Sequence, residues 1–392
     1  MNQNRFDVIV VGGGIVGSTA AFCLGRRGQS VALVERERIG DGTTGSSFAW
    51  INATSKVADE AYHRLNAMGA ALYRELVVEF GEARLGLHPS GMLQCVNRSD
   101  ATEYRAMCER AERLQRYGYP SCILRATELA ALEPHIPFAD DAEALFAMAD
   151  DWLDAPLFAR FLVSELKSMG SAVIEGCAAE VLEMTDEGTI TGVTTAQGTL
   201  NAPKVLVTVG PDTPEVLSAL TGYGAFTTRF PMTRVPGLLV TTPSTAPVQL
   251  VRHILYIDSP ADALHLRPAA NGGLLIGADD TDGMVAEGAS PERIREAAAK
   301  LLRRTESLIP GFVGEACLDD CELTVGLRAY PQDGKTLAGA LPGAEGLYLI
   351  ATHSGVTLAP VLGRLMAETI VEGKVPDPLQ PFSLERFPGF AR

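Results

Sequence analysis

The sequence has little positive charge and no long apolar run, and both absences limit the partners that the protein can have. It contains 33 lysines and arginines against 48 aspartates and glutamates, a net charge of −15, with no basic cluster. Because nucleic acid and anionic membrane surfaces attract basic proteins, neither is expected as a partner. A helix that crosses a membrane needs about 20 apolar residues in succession. No stretch of this sequence approaches that length, so no membrane span is predicted.

Chemistry based on cysteine or on a protein nucleophile is also poorly supported. The seven cysteines are scattered and include no CxxC pair, a pattern typical of reduced thiols in a cytoplasmic protein. Cys317 and Cys321 are spaced to share a helical face, but no histidine or cysteine partners complete a metal set. No metal site is therefore predicted. The sequence offers neither a catalytic triad nor a nucleophile elbow.

A glycine-rich turn near the N-terminus has a complete context for nucleotide binding. An apolar run, Val8–Val11, precedes the glycines, which are Gly12, Gly14 and Gly17. A helix pattern of small residues follows, and a second apolar run, Ser30–Val34, ends on Glu35. The order strand, turn, helix, strand, acid predicts dinucleotide binding. The alternative is a structural glycine turn in another kind of α/β protein.

Each part of this turn has a physical role in binding a dinucleotide. The three glycines permit, in order, the tight turn, the approach of the backbone to a pyrophosphate, and the packing of helix against strand. N–H groups at the start of the helix, including those of Ile15 and Val16, favour the pyrophosphate charge. Glu35 is placed to accept hydrogen bonds from ribose hydroxyls, and its charge repels a 2′-phosphate, which disfavours NADP.

The rest of the sequence indicates two interleaved domains in an α/β fold. With 392 residues, of which 46% are hydrophobic and 21% charged, the protein exceeds a single ordinary core. The nucleotide-binding pieces lie at the start, middle and end, so we expect a discontinuous Rossmann-like domain of residues 1–85, 151–214 and 321–392. The intervening residues 86–150 and 215–320 are expected to form a second, α+β domain built on an antiparallel sheet.

Local patterns also predict the ends of particular helices. Apolar residues at steps of three and four predict a helix over residues 57–80. Asp154, followed closely by a proline, is placed to cap a helix that runs to Met169. Ser290 is placed in the same way to cap a helix over Pro291–Leu308.

Three further motifs carry a family resemblance along the whole chain. They are the loop Gly42–Ser47, the motif Gly326–Gly334 and the motif His353–Pro360. Together with the glycine turn and Glu35, they resemble the D-amino acid oxidase, glycine oxidase and sarcosine oxidase superfamily of FAD enzymes. The resemblance implies that the Rossmann-like domain binds FAD. It also implies a two-electron oxidation of a carbon–nitrogen bond in an amino acid or N-alkylated amine.

The resemblance also implies how the cofactor is held. Some relatives attach the flavin to a histidine in the early loop or to a late cysteine. This chain has no histidine in Thr43–Ser47 and no cysteine after Cys321, so non-covalent FAD is expected. Beyond the glycine turn, the implied FAD-binding residues are Thr43, Thr44, Ser46, Ser47, Val181, Gly210, Ser354, Gly355, Val356 and Thr357. The N–H groups at the start of the last helix would stabilise negative charge on the reduced flavin.

Arg328 is the leading candidate for substrate binding. In relatives that oxidise amino acids, an arginine at this position holds the substrate carboxylate through a bidentate pair. The alternative is a structural ion pair with one of the many acids. Glycine oxidases carry a second arginine in the last motif, which this chain lacks, so an amino acid or amine other than glycine is expected.

Several aromatic and polar residues are placed near the same cavity by the resemblance. Tyr256, His253, His265 and Arg267 belong to the region that lines the substrate cavity in relatives, although a structural role is the alternative for each. Trp50 and Asn52 follow the early loop and are expected to reach the flavin face and the substrate, and the alternative for Trp50 is a residue that fills the core. His353 and His253 are the catalytic candidates, and the alternative for His353 is a turn residue that packs beside the cofactor.

The expected chemistry is hydride transfer from a substrate carbon to flavin N5, followed by hydrolysis of the imine. The substrate amine must be neutral, which desolvation in the cavity favours. Sarcosine oxidase relatives activate oxygen with a lysine of the substrate domain, and no lysine lies between Lys204 and Lys300. This absence favours a dehydrogenase, with oxygen, a quinone or an electron-transfer protein all open as acceptors.

Two other functions remain open from the sequence. The first is oxidation of a 2-hydroxy acid, which needs a general base such as His253 or His353. The second is a flavoprotein subunit that is active only within a complex.

Overall fold

The computed structural model describes residues 4–221, 230–259, 262–286 and 288–390. These residues form two large sheets with helices packed on them, in the α/β fold class that the sequence predicts. Within the described ranges, no helix combines the length and the apolar character needed to span a bilayer.

The first sheet is a Rossmann-like sheet of buried apolar strands. Its strands are β1 (Val8–Val11), β2 (Val31–Val34), β9 (Ala172–Ile174), β13 (Val205–Val207), β19 (Leu337–Ala340) and β20 (Leu347–Ala351). They lie in the order β19, β20, β13, β1, β2, β9, and every neighbouring pair is parallel except β19 with β20. Because both faces are covered, β1 and β2 are continuously apolar rather than alternating.

Four helices pack on one face of this sheet. They are α1 (Ile15–Arg26), α2 (Glu60–Phe80), α6 (Ala155–Ser168) and α10 (Gly355–Glu372). Asp59 caps α2 by accepting from the N–H of Tyr62, so α2 begins three residues later than the predicted helix over 57–80. Asp154 caps α6 by accepting from the N–H of Leu157, as the sequence predicts.

The second sheet is antiparallel except for one pair of strands. Its strands are β5 (Met92–Asn97), β6 (Ser121–Arg125), β7 (Ala142–Ala147), β14 (Met232–Thr241), β15 (Ile254–Ile257), β16 (Leu264–Pro268), β17 (Leu274–Gly277) and β18 (Glu322–Pro331). They lie in the order β18, β14, β17, β16, β15, β5, β7, β6, and only β15 with β5 is parallel within this order. β18 therefore lies in the second sheet, although the sequence analysis assigns residues from 321 onward to the FAD-binding domain. The division into domains stays a prediction.

The two faces of the second sheet have different surroundings. One face packs on α9 (Pro291–Leu308) through residues such as Leu238, Leu266 and Leu302. Since side chains alternate along a strand, the opposite face carries Arg328 of β18, His265 and Arg267 of β16, and Tyr256 of β15. We call this opposite face the site face.

Smaller elements connect the two sheets. One small sheet consists of β3 (Trp50–Ile51), β4 (Leu87–Pro89) and β8 (Asp151–Leu153), and a meander consists of β10 (Ala179–Met184), β11 (Ile190–Thr195) and β12 (Gly198–Asn201). The remaining described helices are α3 (Glu82–Leu85), α4 (Ala101–Tyr117), α5 (Ala126–Leu132), α7 (Thr213–Thr221) and α8 (Asp279–Asp282).

Candidate active site

The glycine turn between β1 and α1 has the backbone conformation that its sequence requires. Gly12 has a φ of +103°, and a Cβ there would lie 2.7 Å from the carbonyl oxygen of Thr208. The Thr208 hydroxyl donates to the carbonyls of Val11 and Gly12 at 2.9 and 3.0 Å. Thr208 thus holds the turn from the neighbouring strand end, next to the predicted FAD contact Gly210.

The N-terminus of α1 fits an anionic group bound to its N–H groups. Glu35 accepts from the N–H of Gly13 at 2.5 Å, and the Thr44 hydroxyl accepts from the N–H of Ile15 at 2.9 Å. In the described part of the chain, the N–H groups of Gly14 and Val16 have no hydrogen-bond partner, and the first turn carries no acidic residue. These free donors and the helix dipole suit a pyrophosphate.

The N-terminus of α10 lies beside that of α1. A Cβ on Gly355 would lie 3.4 Å from a methyl group of Val16. The hydroxyl of Thr357 donates to the carbonyl of Trp50 and accepts from the N–H of Asn52, both at 3.1 Å. Because the first turn of α10 also carries no acidic residue, its N–H groups suit the electron-rich edge of a bound flavin.

The segment of residues 43–49, which we call the crossing loop, lies across the site face. The hydroxyl of Thr43 donates to the carbonyl of Leu327 at 2.8 Å. A Cβ on Gly326 would lie only 2.4 Å from the carbonyl oxygen of Ser46, so this close approach requires glycine. Ala49 has a positive φ of 54°, a strained conformation for alanine. The loop divides the site face into an Arg328 end and an Arg267 end.

Arg328 is held by the protein but keeps unused hydrogen-bonding capacity. One terminal nitrogen, Nη2, donates to Asp282 at 2.5 Å and to the carbonyl of Pro236 at 3.0 Å. Its Nε is buried and has no hydrogen-bond partner among the described residues. The side chain remains 38% exposed. Arg328 is therefore both paired with an acid and available to a further acceptor.

Three groups surround Arg328 at this end of the site face. The His353 ring stacks on Tyr330 with ring centres 4.8 Å apart. Burial, with the charges of Lys56 and Arg328, lowers the pKa of His353 to about 3. Burial likewise lowers the pKa of Lys56 to about 8, against the opposing charge of Asp279. His353 is therefore neutral near neutral pH. Lys56 is charged there, and its lowered pKa of about 8 brings the loss of its proton closer to neutral pH.

Aromatic rings form the wall nearest β15. The rings of Trp50 and Tyr256 are 6.3 Å apart, and Tyr256 stacks on His265 at 6.0 Å. Trp50 is fixed from behind because its Nε1 donates to the buried Asp150 at 3.0 Å. Burial raises the pKa of Asp150 to about 7, and burial lowers the pKa of His265 to about 4.

Other predicted site residues are engaged elsewhere. The ring of His253 contacts the fully buried Glu133 at 2.7 Å, and Glu133 also accepts from the backbone of Arg252 and His253. The side chain of Asn52 accepts from the Ser55 hydroxyl at 2.7 Å. These contacts favour structural roles for His253 and Asn52.

The predicted FAD contact Val181 lies on the meander strand β10 and is 46% exposed. Four residues earlier, the N–H of Cys177 donates to the carbonyl of Glu35 at 3.0 Å. The role of Val181 stays a prediction.

Lys56, Asp282 and Thr208 are site residues that the sequence analysis does not single out. Each belongs to a segment without a recognisable motif, and only the folded structure shows that each lies beside the site. A lysine does stand at the Arg328 end, but it comes from the segment after β3. The absence of lysine between residues 204 and 300 therefore no longer distinguishes a dehydrogenase from an oxidase.

Comparison with known proteins agrees with this geometry. A family model described as FAD-dependent oxidoreductase matches residues 7–369. Glycine oxidase from Geobacillus kaustophilus is 26% identical over 401 residues, covering 98% of each chain. The structure of L-proline dehydrogenase from P. horikoshii superposes with a TM-score of 0.82 at 20% identity, covering 97% of both chains. That of L-amino acid deaminase from Proteus vulgaris gives 0.76 at 20% identity, covering 98% and 94%.

Proposed function

The chain belongs to the family of FAD-dependent oxidoreductases, and we propose that it oxidises the carbon–nitrogen bond of an amino acid or N-alkylated amino acid. FAD is the cofactor, and the residues at both helix N-termini fit its pyrophosphate and flavin. When bound, FAD accepts the hydride that the substrate carbon loses. The similarity to a glycine oxidase and to an L-proline dehydrogenase supports this reaction class and leaves the electron acceptor unassigned.

The observation that carries the proposal is the state of Arg328. Its guanidinium lies on the site face beside the crossing loop, with a buried Nε that has no partner in the described part of the chain. A substrate carboxylate would pair with the exposed part of this guanidinium, since the side chain is 38% exposed, and would gain the charge-assisted bond that arginine provides. Asp282 accepts from Nη2 of the same guanidinium at 2.5 Å, so the arginine is oriented before substrate binds.

The other residues of this end would orient the substrate and favour its neutral amine. Trp50 and Tyr256 form an aromatic wall that excludes water. His353 and His265 are neutral near neutral pH because burial lowers their pKa values to about 3 and about 4. A substrate ammonium that enters this partly desolvated space is favoured to lose its proton before its carbon is oxidised.

Oxidation of a 2-hydroxy acid is less well supported. That reaction needs a general base, and a histidine whose pKa is lowered to about 3 accepts a proton poorly at neutral pH. The other candidate base, His253, is engaged with Glu133.

The test is the visible spectrum of the purified holoenzyme without oxygen. Pools of D-amino acids, L-amino acids, N-methyl amino acids and 2-hydroxy acids are added in turn, and bleaching of the flavin band is recorded. We expect an amino acid or N-methyl amino acid pool to bleach the flavin. Bleaching by hydroxy acids alone would contradict the proposal. A yellow protein that no pool bleaches would favour the partner-dependent subunit.

A further inference from the structure

The Arg267 end of the site face contains a cavity that the proposed reaction does not use. It has a volume of about 270 Å³ and is lined by the crossing loop, the end of β8, the start of α6 and the strands β14, β16, β17 and β18 of the second sheet. Since one water molecule occupies roughly 30 Å³ in the liquid, this space can hold a small organic molecule. The crossing loop separates the cavity from the Arg328 end, because Phe48 packs on His265 at 4.9 Å.

Arg267 is the unusual group in the cavity wall. It is only 5% exposed, yet no carboxylate among the described residues lies within ion-pair distance of it. Its Nε and Nη1 donate to the carbonyls of Phe48 and Pro268, both at 2.7 Å. Its Nη2 has no hydrogen-bond partner within the ranges that the structure describes. The guanidinium also lies 4.3 Å from the ring centre of Trp152.

A buried arginine without a carboxylate partner is costly. Burial lowers the pKa of Arg267 to about 9, and the charge of Asp154 partly opposes that shift. A ligand carboxylate that meets the guanidinium would supply the missing counter-charge and an acceptor for Nη2.

The remaining charges in the wall determine which kind of ligand fits. Asp154 and Glu322 also line the cavity, so its fixed charges are one positive and two negative. A simple anion would be repelled by the two carboxylates, and a simple cation by the guanidinium. A zwitterion can place its carboxylate at Arg267 and its ammonium toward Asp154 or Glu322.

We propose that this cavity, which shares Thr44, Ser46 and Ser47 with the predicted FAD contacts and lies apart from the Arg328 end, is a second binding site for a small zwitterion of the free amino acid class. The hydroxyl and amide groups of Thr44, Ser46 and Asn271 also line it and supply further polar contacts. Because the crossing loop forms one wall of this cavity, a zwitterion bound at Arg267 would also stabilise the loop that carries the predicted FAD contacts. The site does not depend on which substrate is oxidised.

Trp152 is the probe of the cavity, and because Trp50 is its cross-strand partner in the small sheet, the readout is the Trp152 signal alone. Trp152 lines the Arg267 cavity, and Trp50 forms the wall of the Arg328 end. In holoenzyme labelled with 5-fluorotryptophan, the two ¹⁹F signals are assigned with Trp50→Phe. Glycine, acetate and methylamine are then titrated without oxygen. We expect the Trp152 signal to saturate with glycine at concentrations roughly tenfold lower than with acetate or methylamine.

A charge-altering variant tests the chemistry without removing Arg267. Asp154→Asn retains an N-capping side chain for α6, and Glu322→Gln is made at an exposed position. In the double variant the wall carries only the positive charge, so we expect the preference to change from glycine to acetate. In Arg267→Met, a ¹⁹F spectrum that stays native-like should show no glycine response at Trp152.

Each contrary outcome is specific. A Trp152 signal that does not respond to glycine would overturn the second site, whatever Trp50 does. Equal responses to glycine and acetate in the wild type would overturn the zwitterion class. A Trp152 signal that responds to glycine, in a holoenzyme whose flavin no amino acid pool bleaches, would count against the proposed reaction alone, so the two proposals fail separately.

Discussion

Arg328 and Arg267 lie on the same face of one sheet, but their surroundings give them different capabilities. Arg328 has a carboxylate partner at 2.5 Å and a side chain that is 38% exposed. Arg267 is 5% exposed and is held by two carbonyls and two aromatic rings instead of an acid. The two residues are separated by the crossing loop, which packs directly on the strands between them.

This difference shows that an arginine's role depends on how its charge is balanced. The charge of Arg328 is already compensated by Asp282, so this residue can exchange solvent for a substrate carboxylate at moderate cost. The charge of Arg267 is not compensated by an acid, so we expect this residue to bind a ligand that carries its own carboxylate. We therefore expect the largest effects from changes to the crossing loop that separates the two ends, and smaller ones from changes at the Arg328 end.

The largest loss of turnover is expected from displacing the crossing loop. In Gly326→Val, the new Cβ would lie 2.4 Å from the Ser46 carbonyl and would displace the crossing loop. Because displacements near 1 Å commonly cost about 100-fold in rate, we expect at least that loss of turnover, with weaker FAD retention. Turnover and flavin content of the purified variant are the measurements. Gly42→Ala is the control. Gly42 immediately precedes the crossing loop, and a Cβ there would meet open space, so this variant should behave as wild type.

The next largest effect is expected at Arg328, where substrate affinity and protein stability can be measured separately. Removing the arginine deletes charge-assisted bonds, so Arg328→Leu should raise KM for a carboxylate substrate by about 10- to 100-fold. It also leaves Asp282 without its cation, which should lower the free energy of unfolding by about 1–2 kcal/mol at this partly exposed site.

The double variant Arg328→Leu with Asp282→Asn removes both charges and keeps an oxygen that accepts from the N–H of Leu238. We expect it to recover stability but not substrate affinity, as measured by denaturant unfolding and steady-state kinetics. Recovery of both would show that the arginine serves only as a structural ion pair.

The features that could be predicted from sequence are those whose residues are close in the chain. The glycine turn, Glu35 and the Asp154 cap act over a few residues or within one strand–helix–strand unit, so their pattern is visible directly. The whole-chain family resemblance, which the family match confirms, supplied the position of Arg328.

The contacts that build the site face were not predictable in this way. Thr43 bonds to Leu327 across 284 residues, and Arg328 pairs with Asp282 across 46. Lys56 follows a short turn with no motif, and its low pKa arises from burial that only the folded chain produces. Pairings of this kind depend on strand register and loop path, which no local pattern specifies.

A smaller, pH-dependent effect is expected at Lys56. Burial lowers its pKa from 10.5 to about 8. The folded protein therefore binds this proton less tightly than the unfolded chain, so the stability penalty is full below the folded pKa and disappears as the pH rises through 10.5. Lys56→Met should raise the midpoint of thermal unfolding at neutral pH and leave it unchanged above the ordinary lysine pKa.

Lys374, which is exposed, provides the matched control. Lys374→Met should leave the midpoint unchanged across the same pH range. An equal gain in both variants, or a gain for Lys56→Met that persists at high pH, would be inconsistent with a buried cation at the Arg328 end.

The smallest effect is expected at Tyr256. Its hydroxyl reaches Asp279 only at 3.5 Å, whereas its ring contributes the packing on His265. Tyr256→Phe keeps the ring and loses a weak bond, so KM should change by no more than about threefold. Tyr256→Ala, which also removes the ring, should have the larger effect; a reversed order would assign the hydroxyl, rather than the ring, to substrate binding.

The most direct test of the account compares an amino acid that reduces the flavin with the amine that lacks only its carboxylate. Flavin reduction without oxygen is followed for both compounds in the wild type and in the Arg328→Leu, Asp282→Asn double variant. The account predicts that the wild type favours the amino acid by about 10- to 100-fold at low concentration and that the variant treats the two within about threefold. A variant that keeps the wild-type preference would contradict it, because the carboxylate would then be held elsewhere.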